Sequence, residues 1–198
     1  LIGGATGGGK SNWLHQALYT LEGRCEIRII DLKRMEFSGY EVAHDLRGAL
    51  EMLGRIYREM HRRQAMCAHE GVTDIRRLPA PPPYIILVVD EFAQLCPEMA
   101  SSKAEKELRR TAHGFLADIL ALARAVGIHC LVATQHPYSQ VVPGLLKNNF
   151  GAVLAFRTLT QEGSKVLIGH SGAEKLPAIP GRAIWQRGHE ETVVQVML

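Results

Sequence analysis

The sequence lacks the features that mark several large classes of protein. No apolar run approaches the roughly 20 residues that a membrane-spanning helix needs, and no segment has the pattern of a signal peptide. The four cysteines form no C-x-x-C pair, which argues against a zinc site and against a disulfide framework. We therefore expect reduced thiols in a cytoplasmic protein, with any membrane anchor supplied by segments outside this chain.

Aromatic residues and net charge are also scarce. Aromatics make up 6% of the 198 residues, and the net charge is only +3. This charge permits a polyanionic partner without requiring one, and the shortage of aromatics argues against the base stacking used by single-strand binders. The length suits one domain with one core, so we treat residues 1–198 as a single domain. Because Leu1 and Ile2 resemble the end of a strand, we expect the chain to be a fragment of a larger protein.

Short apolar runs alternate with helical patterns along the chain. We predict strands at 27–30, 84–89, 128–133, 153–156 and 192–198, and helices at about 11–21, 42–69 and 103–126. Three prolines at 81–83 mark a connection before the most apolar strand. Such alternation is typical of an α/β fold in which helices cover both faces of a mostly parallel sheet.

A glycine-rich segment near the start satisfies the phosphate-loop pattern G-x-x-x-x-G-K-[ST] between a strand end and an amphipathic helix. Its residues are Gly4, Ala5, Thr6, Gly7, Gly8, Gly9, Lys10 and Ser11. Glycines allow backbone N–H groups to wrap phosphates closely. We expect this loop to bind ATP, with Lys10 reaching the β- and γ-phosphates and the Ser11 hydroxyl holding Mg²⁺.

Two adjacent carboxylates, Asp90 and Glu91, end the most apolar predicted strand. In P-loop enzymes the first carboxylate at such a position supports the Mg²⁺ ion, and the second can polarise the attacking water. We assign Asp90 to the metal and Glu91 to the water. A glutamate at this position favours hydrolysis over passive nucleotide binding.

Four motifs resemble, in order, those of the FtsK/SpoIIIE motor domain: the phosphate loop, Val88 to Leu95 (V-V-D-E-F-A-Q-L), Ala123 to His129 (A-R-A-V-G-I-H) and Ala133 to Pro137 (A-T-Q-H-P). Further resemblance lies in Ile30 to Arg34, Met60 to Ile75 and Gly172 to Leu176. The similarity covers nearly the whole chain. It departs from the chromosomal pattern at Leu32, Gln94, His136 and Val153.

The resemblance implies a RecA-like P-loop ATPase that forms a hexameric ring and drives double-stranded DNA through a central channel. Gln135 resembles the polar residue that senses the γ-phosphate and relays its loss to DNA-facing loops. Ring ATPases complete each site with an arginine from the adjoining subunit, and Arg157 is our choice for it. Residues 137–149, which include Lys147, are our candidate for a pore-facing element.

Several basic clusters offer phosphate contacts with a duplex, without sequence reading. They are Lys33 and Arg34; Arg55, Arg58, Arg62 and Arg63; Arg76 and Arg77; and the cluster from Lys103 to Arg110. A charged run is more often a solvated helix face than a binding site. Each cluster therefore stays a candidate.

Other functions share these motifs. Conjugation proteins and type VII secretion ATPases have the same family shape, and DNA stimulation of ATP hydrolysis would separate a DNA motor from a protein-secretion motor. An assembly module that binds ATP only for stability is disfavoured by the Asp90 and Glu91 pair. A small-molecule kinase would need an acceptor pocket and a lid, which the sequence does not reveal.

Overall fold

The computed structural model describes residues 1–34 and 37–197. In chain order the elements are β1 (Ile2–Gly3), α1 (Lys10–Leu21), β2 (Glu26–Ile30), β3 (Glu41–Ala43), α2 (Leu46–His69), β4 (Ile85–Val89), α3 (Lys103–Leu122), β5 (Ile128–Thr134), α4 (Gly144–Lys147), β6 (Val153–Phe156), α5 (Gln161–Ile168), β7 (Arg182–Arg187) and β8 (Glu190–Gln195). Within the described ranges, no helix is long and apolar enough to cross a bilayer.

The chain forms two compact units. The first consists of residues 1–21, 90–93 and 131–198, and the second of residues 22–89 and 94–130. All the residues predicted to form the nucleotide site belong to the first unit. The assignment of 1–198 as one domain stays a prediction.

Strands of the first unit place the phosphate loop at one edge of a mixed sheet. β1 lies between β5 and β6 and runs parallel to both, with Ile2 paired to Ala133 on one side and to Leu154 on the other. β7 is antiparallel to β6, and β8 is antiparallel to β7. The carboxyl ends of β5, β1 and β6 therefore share one edge with the start of β7.

At the end of the amino-terminal strand, Gly3 and Gly4 leave no space for a side chain. A Cβ atom on Gly3 would lie 2.3 Å from a methyl carbon of Leu167 in α5, and one on Gly4 would lie 2.7 Å from the Cβ of Phe156 in β6. Glycines at both positions let the strand and the following loop approach α5 and β6 closely. This packing fixes where the phosphate loop leaves the sheet.

The carboxyl-terminal part of the chain holds elements that the sequence prediction missed. The edge strand predicted at 192–198 is present as β8, although Leu198 lies outside the described residues. Neither α5 nor β7 was predicted. β7 begins and ends with an arginine, and α5 has only eight residues, so both give weak periodic signals.

In the second unit, β2 lies between β3 and β4 and runs parallel to both. Every residue of β4 is buried, which agrees with its continuous apolar sequence. The helices α2 and α3 pack against each other. Gly127, at φ 73°, ends the short turn that follows α3 in the left-handed conformation, which glycine adopts without steric cost.

The prediction that α2 starts near residue 42 is wrong. Residues 41–43 pair with β2 as the strand β3, and the helix starts at Leu46. The carboxylate of Asp45 accepts a hydrogen bond from the N–H of Gly48 at 2.8 Å. A side chain that satisfies an N–H of the first turn sets the start of a helix, and the apolar periodicity alone did not reveal it.

Arg63 on α2 belongs to the core, which corrects its inclusion among the DNA-contact candidates. It is 1% exposed. Its guanidinium donates to the carbonyls of Val126 at 3.1 Å and Pro83 at 2.9 Å, and to the Glu59 carboxylate at 2.7 Å. A buried charge needs such partners. Arg63 therefore ties the helix to two chain segments and cannot reach a duplex.

Candidate nucleotide-binding site

The phosphate loop joins β1 to α1. Gly7 and Gly9 have φ values of 77° and 106°, a backbone conformation that residues other than glycine rarely adopt. Two backbone hydrogen bonds join the loop to other segments, from Ala5 N–H to the Arg157 carbonyl at 2.9 Å and from Gly181 N–H to the Gly8 carbonyl at 3.0 Å. The loop conformation is thus fixed by neighbouring segments of its own unit.

Lys10 is the first residue of α1 and is 6% exposed. Its ammonium group donates to the carbonyls of Gly4 at 2.6 Å and Ala5 at 2.7 Å. The side chain of Lys10 therefore lies against the first residues of the phosphate loop. An ammonium group can exchange a carbonyl partner for a phosphate oxygen, because both are strong acceptors.

Glu91 lies just after β4 and is 5% exposed. Its carboxylate accepts a hydrogen bond from the hydroxyl of Thr134 at 2.8 Å. It also accepts from the backbone N–H groups of Gln135, at 3.1 Å to Oε2, and of Ala93, at 3.3 Å. These contacts hold the carboxylate at the end of β5, which is the strand beside β1.

Gln135 connects this carboxylate to the phosphate loop. Its backbone N–H donates to Glu91, while its side-chain oxygen accepts a hydrogen bond from the Thr6 hydroxyl at 2.8 Å. Thr6 is part of the phosphate loop. The acidic segment and the loop therefore lie on the same edge of the sheet. Gln135 links them, because it forms hydrogen bonds with both Glu91 and Thr6. The sensing role of Gln135 stays a prediction.

Arg157 follows β6, and its side chain is exposed. Its carbonyl accepts the Ala5 N–H, so its backbone lies against the phosphate loop of its own chain. The predicted role of its guanidinium in an adjoining subunit remains a prediction.

Ser11 and Asp90 are the residues predicted to hold Mg²⁺. Ser11 is half-buried at the start of α1, and Asp90 is 8% exposed at the end of β4. Hydroxyl and carboxylate oxygens are the ligands that suit this ion, which binds few protein groups alongside phosphates and water. Over residues 1–34 and 37–197, no three His, Cys, Asp or Glu side chains come together as a metal site of their own. The donor set fits a metal that is shared with a nucleotide.

Thr134 was missed as a functional residue. It is fully buried at the end of β5, donates to Glu91, and accepts the N–H of His136 at 3.0 Å. The sequence offered one signal, a polar residue ending an apolar strand directly before Gln135.

Lys147, in the predicted pore-facing segment, is half-buried in α4, and burial lowers the pKa of its ammonium group.

Comparisons with known proteins agree with this geometry. The chain is 34% identical to the DNA translocase SftA of Bacillus subtilis (strain 168) and 34% identical to the DNA translocase FtsK of Treponema pallidum (strain Nichols). Each match covers 89% of this chain, but only 20% of SftA and 24% of FtsK. The chain thus spans about a quarter or less of the length of these relatives. No family model matches.

Solved structures share the fold. The ATPγS-bound monomer of the pCW3 conjugation coupling protein TcpA superposes with a TM-score of 0.91 at 24% identity, over 98% of this chain and 59% of that one. The cytoplasmic domain of the type VII secretion ATPase EccC of Thermomonospora curvata gives 0.76 at 25% identity, over 97% of this chain and 24% of that one. The predicted RecA-like α/β fold is confirmed. Over 89% of its own length this chain is thus similar to proteins named as the DNA translocases SftA and FtsK, in line with the resemblance of its motifs.

Proposed function

We propose that this chain is the ATP-hydrolysing core of a motor that moves double-stranded DNA. The observation that carries the proposal is the hydrogen-bonded path from Glu91 through Gln135 to Thr6, since it joins a strand-end acid to the phosphate loop. The relatives with which the chain shares 34% identity are named DNA translocases. Their name supports DNA as the substrate.

Each residue of the site has a chemical task under this proposal. The phosphate loop binds the phosphates through its N–H groups, Lys10 neutralises the β- and γ-phosphates, and Glu91 orients the attacking water. Mg²⁺, held by Ser11 and Asp90, would neutralise charge on the phosphates. Thr134 keeps the Glu91 carboxylate in place. Gln135 reports the state of the phosphates.

Ring assembly and DNA contact complete the proposal. We place the motor in a hexameric ring, in which the exposed Arg157 side chain would complete the site of an adjoining copy. Many basic side chains on the predicted DNA-contact surfaces are paired with carboxylates: Arg55 with Glu41, Arg62 with Glu59, Arg76 with Asp74, and Arg110 with Glu107. The exposed Arg58 and Arg77 are therefore our first choices for contacts with the duplex backbone.

The decisive experiment measures ATP hydrolysis with and without linear duplex DNA. We expect the duplex to stimulate hydrolysis. Lys10→Ala should abolish nucleotide binding, whereas Glu91→Gln should bind ATP and lose about 100-fold or more in kcat, the usual scale for a catalytic base. Glu190→Gln, a change of the same chemistry on the exposed strand β8, is the matched control and should behave as the wild type.

Other outcomes would point elsewhere. Hydrolysis that ignores DNA but responds to a secretion-signal peptide would favour a protein-secretion motor, which the structural likeness to EccC keeps as the second candidate. Tight ATP binding without turnover, unchanged in Glu91→Gln, would indicate an assembly module and contradict the motor.

A further inference from the structure

The second unit contains a cleft between one face of α2 and the first residues of β2 and β4. Its volume is about 330 Å³, which lies within the range of small-molecule sites. Its lining residues all belong to residues 22–89 of that unit, and they differ from the residues assigned to ATP and Mg²⁺. The cleft is therefore a separate candidate site.

The cleft interrupts the apolar packing between α2 and the sheet. Strand residues that face a helix in a covered parallel sheet are normally apolar. At the start of β2, however, Glu26 and Arg28 line the cleft together with residues of α2. Three buried side chains supply its apolar surface: Met52, Ile56 and Ile85. The cleft thus combines an apolar floor with charged walls.

Four charged side chains from β2, β3 and α2 form one row of ion pairs. Arg28 contacts Glu26 at 2.8 Å and Glu41 at 2.9 Å. Glu41 also accepts a hydrogen bond from Arg55. The row therefore runs Glu26, Arg28, Glu41, Arg55, with alternating sign. It begins with a carboxylate and ends with a guanidinium, and both of these end groups line the cleft.

Both end groups of the row can form further hydrogen bonds. Within residues 1–34 and 37–197, the Glu26 side chain accepts only through Oε2, and the Arg55 side chain donates only through Nη2. Oε1 of Glu26 and the Nε and Nη1 groups of Arg55 are therefore open to a ligand. The two side chains are 40% and 56% exposed, so a molecule from solvent can reach both.

The two other charged residues of the lining are already engaged. Both oxygens of Glu59 accept from Arg62, and Oε1 also accepts from Arg63. The remaining nitrogens of the buried Arg63 donate to the carbonyls of Val126 and Pro83. A ligand would have to break these contacts to bind Glu59 or Arg63. The open acid and the open cation of the cleft are thus Glu26 and Arg55.

We propose that this cleft binds a free α-amino acid with an apolar side chain. The ammonium group of the ligand pairs with Glu26, its carboxylate binds Arg55, and its side chain packs on the apolar floor. Such a zwitterion joins the two ends of the row, so each of its charges meets an opposite charge. An amine alone would leave Arg55 without a new partner, and an acid alone would leave Glu26 without one.

The test measures binding of L-phenylalanine to the whole chain by NMR chemical-shift titration. Its analogues are hydrocinnamate, which lacks the amine, and phenethylamine, which lacks the carboxylate. We expect a Kd for L-phenylalanine of about 1 mM or lower, the scale for so small a ligand. Each analogue should bind about tenfold more weakly, because one charged hydrogen bond is lost. Glycine, which has both charges but no apolar side chain, should also bind about tenfold more weakly.

Two variants assign each charge of the ligand to its partner. Arg55→Gln should weaken L-phenylalanine binding about tenfold and leave phenethylamine binding unchanged. Glu26→Gln should weaken L-phenylalanine binding by a similar factor and leave hydrocinnamate binding unchanged. The matched controls are Arg47→Gln and Glu51→Gln, on exposed positions of α2 outside the lining. Both should bind L-phenylalanine as the wild type does.

Three results would overturn the proposal. The first is the absence of shifts at about 10 mM L-phenylalanine, ten times the expected Kd. The second is an analogue that binds as tightly as L-phenylalanine, since a zwitterion would then have no advantage. The third is wild-type affinity for L-phenylalanine in both Arg55→Gln and Glu26→Gln, which would place any binding elsewhere. All three leave the proposed ATP hydrolysis untouched, because no nucleotide enters the test.

Discussion

The hydroxyl of Thr6 in the phosphate loop donates a hydrogen bond to the side-chain oxygen of Gln135, at 2.8 Å. The backbone of Gln135 meanwhile donates to Glu91. One residue thus touches the loop that would hold the phosphates and the acid that would orient water. We therefore predict that a change in the occupant of the loop reaches the segment after β5 through this contact, because residues 136–149 follow directly in the chain.

We predict that Gln135→Ala keeps ATP affinity within a few fold but loses the stimulation of hydrolysis by duplex DNA. The side-chain contact with Thr6 would be absent, so the loop after β5 would no longer follow the state of the phosphates. The measurement is the ratio of turnover with DNA to turnover without it. Gln161→Ala, the same substitution at the exposed start of α5, should retain the wild-type ratio, and full stimulation in Gln135→Ala would contradict the relay.

Thr134 supplies a second prediction, because its hydroxyl positions Glu91 from a fully buried site. Thr134→Val keeps the shape but removes the donor, and a buried acceptor that loses its partner costs about 1–3 kcal/mol. We expect kcat to fall about tenfold to 100-fold with KM nearly unchanged, and the pH profile of kcat to shift. Thr134→Ser should restore most of the activity. Equal losses in both variants would indicate a packing defect instead.

The position of the candidate nucleotide site in the fold was predictable from the sequence to a large extent. The phosphate loop and the Asp90 and Glu91 pair each follow a short apolar strand, and parallel strands bring such carboxyl ends to one edge. What the sequence could not reveal was which polar group contacts which. Thr134 and Glu91 are 43 residues apart in the chain, and no short sequence pattern specifies that their side chains meet.

Basic residues show the limits of linear patterns most clearly. Arg62 and Arg63 are neighbours in the chain, and both were assigned to one DNA-contact candidate. The structure exposes 56% of the Arg62 side chain and 2% of that of Arg63. One step along a helix turns a side chain by about 100°, so of two adjacent arginines one can face solvent and the other can be buried in the core. Only the packing of α2 distinguishes them.

This pair of arginines yields a stability prediction. Arg63→Met leaves the carbonyls of Val126 and Pro83 without their donor, and we expect a loss of about 3 kcal/mol in the free energy of unfolding. Arg62→Met is the matched control, since it breaks a mostly exposed ion pair with Glu59 that is worth less than about 1 kcal/mol. Denaturant unfolding of both variants measures the difference. Equal small losses would show that Arg63 is dispensable to the core.

The contact between His170 and Glu191 should make stability depend on pH. Imidazole Nε2 of His170 lies 2.7 Å from the Glu191 carboxylate, and Nδ1 lies 2.9 Å from the Ser171 carbonyl. The hydrogen bond to Ser171 and then that to Glu191 raise the pKa of His170 above its usual value. A raised pKa means that folding favours the protonated form. The contribution of His170 to the free energy of unfolding is therefore fully present below about pH 6.5, and it is lost as the pH rises through the folded-state pKa of His170.

We predict that Glu191→Gln lowers the NMR titration midpoint of His170 and reduces the fall in Tm between pH 5.5 and pH 8.5. The carboxylate is the charged partner that stabilises the imidazolium, and the amide that replaces it has no charge. Glu190→Gln, one residue away on the same exposed edge strand, should leave the His170 midpoint where it is in the wild type. If Glu191→Gln leaves the titration midpoint of His170 unchanged, the hydrogen bond to the Ser171 carbonyl alone raises the pKa of His170. In that case the variant should keep the wild-type dependence of Tm on pH.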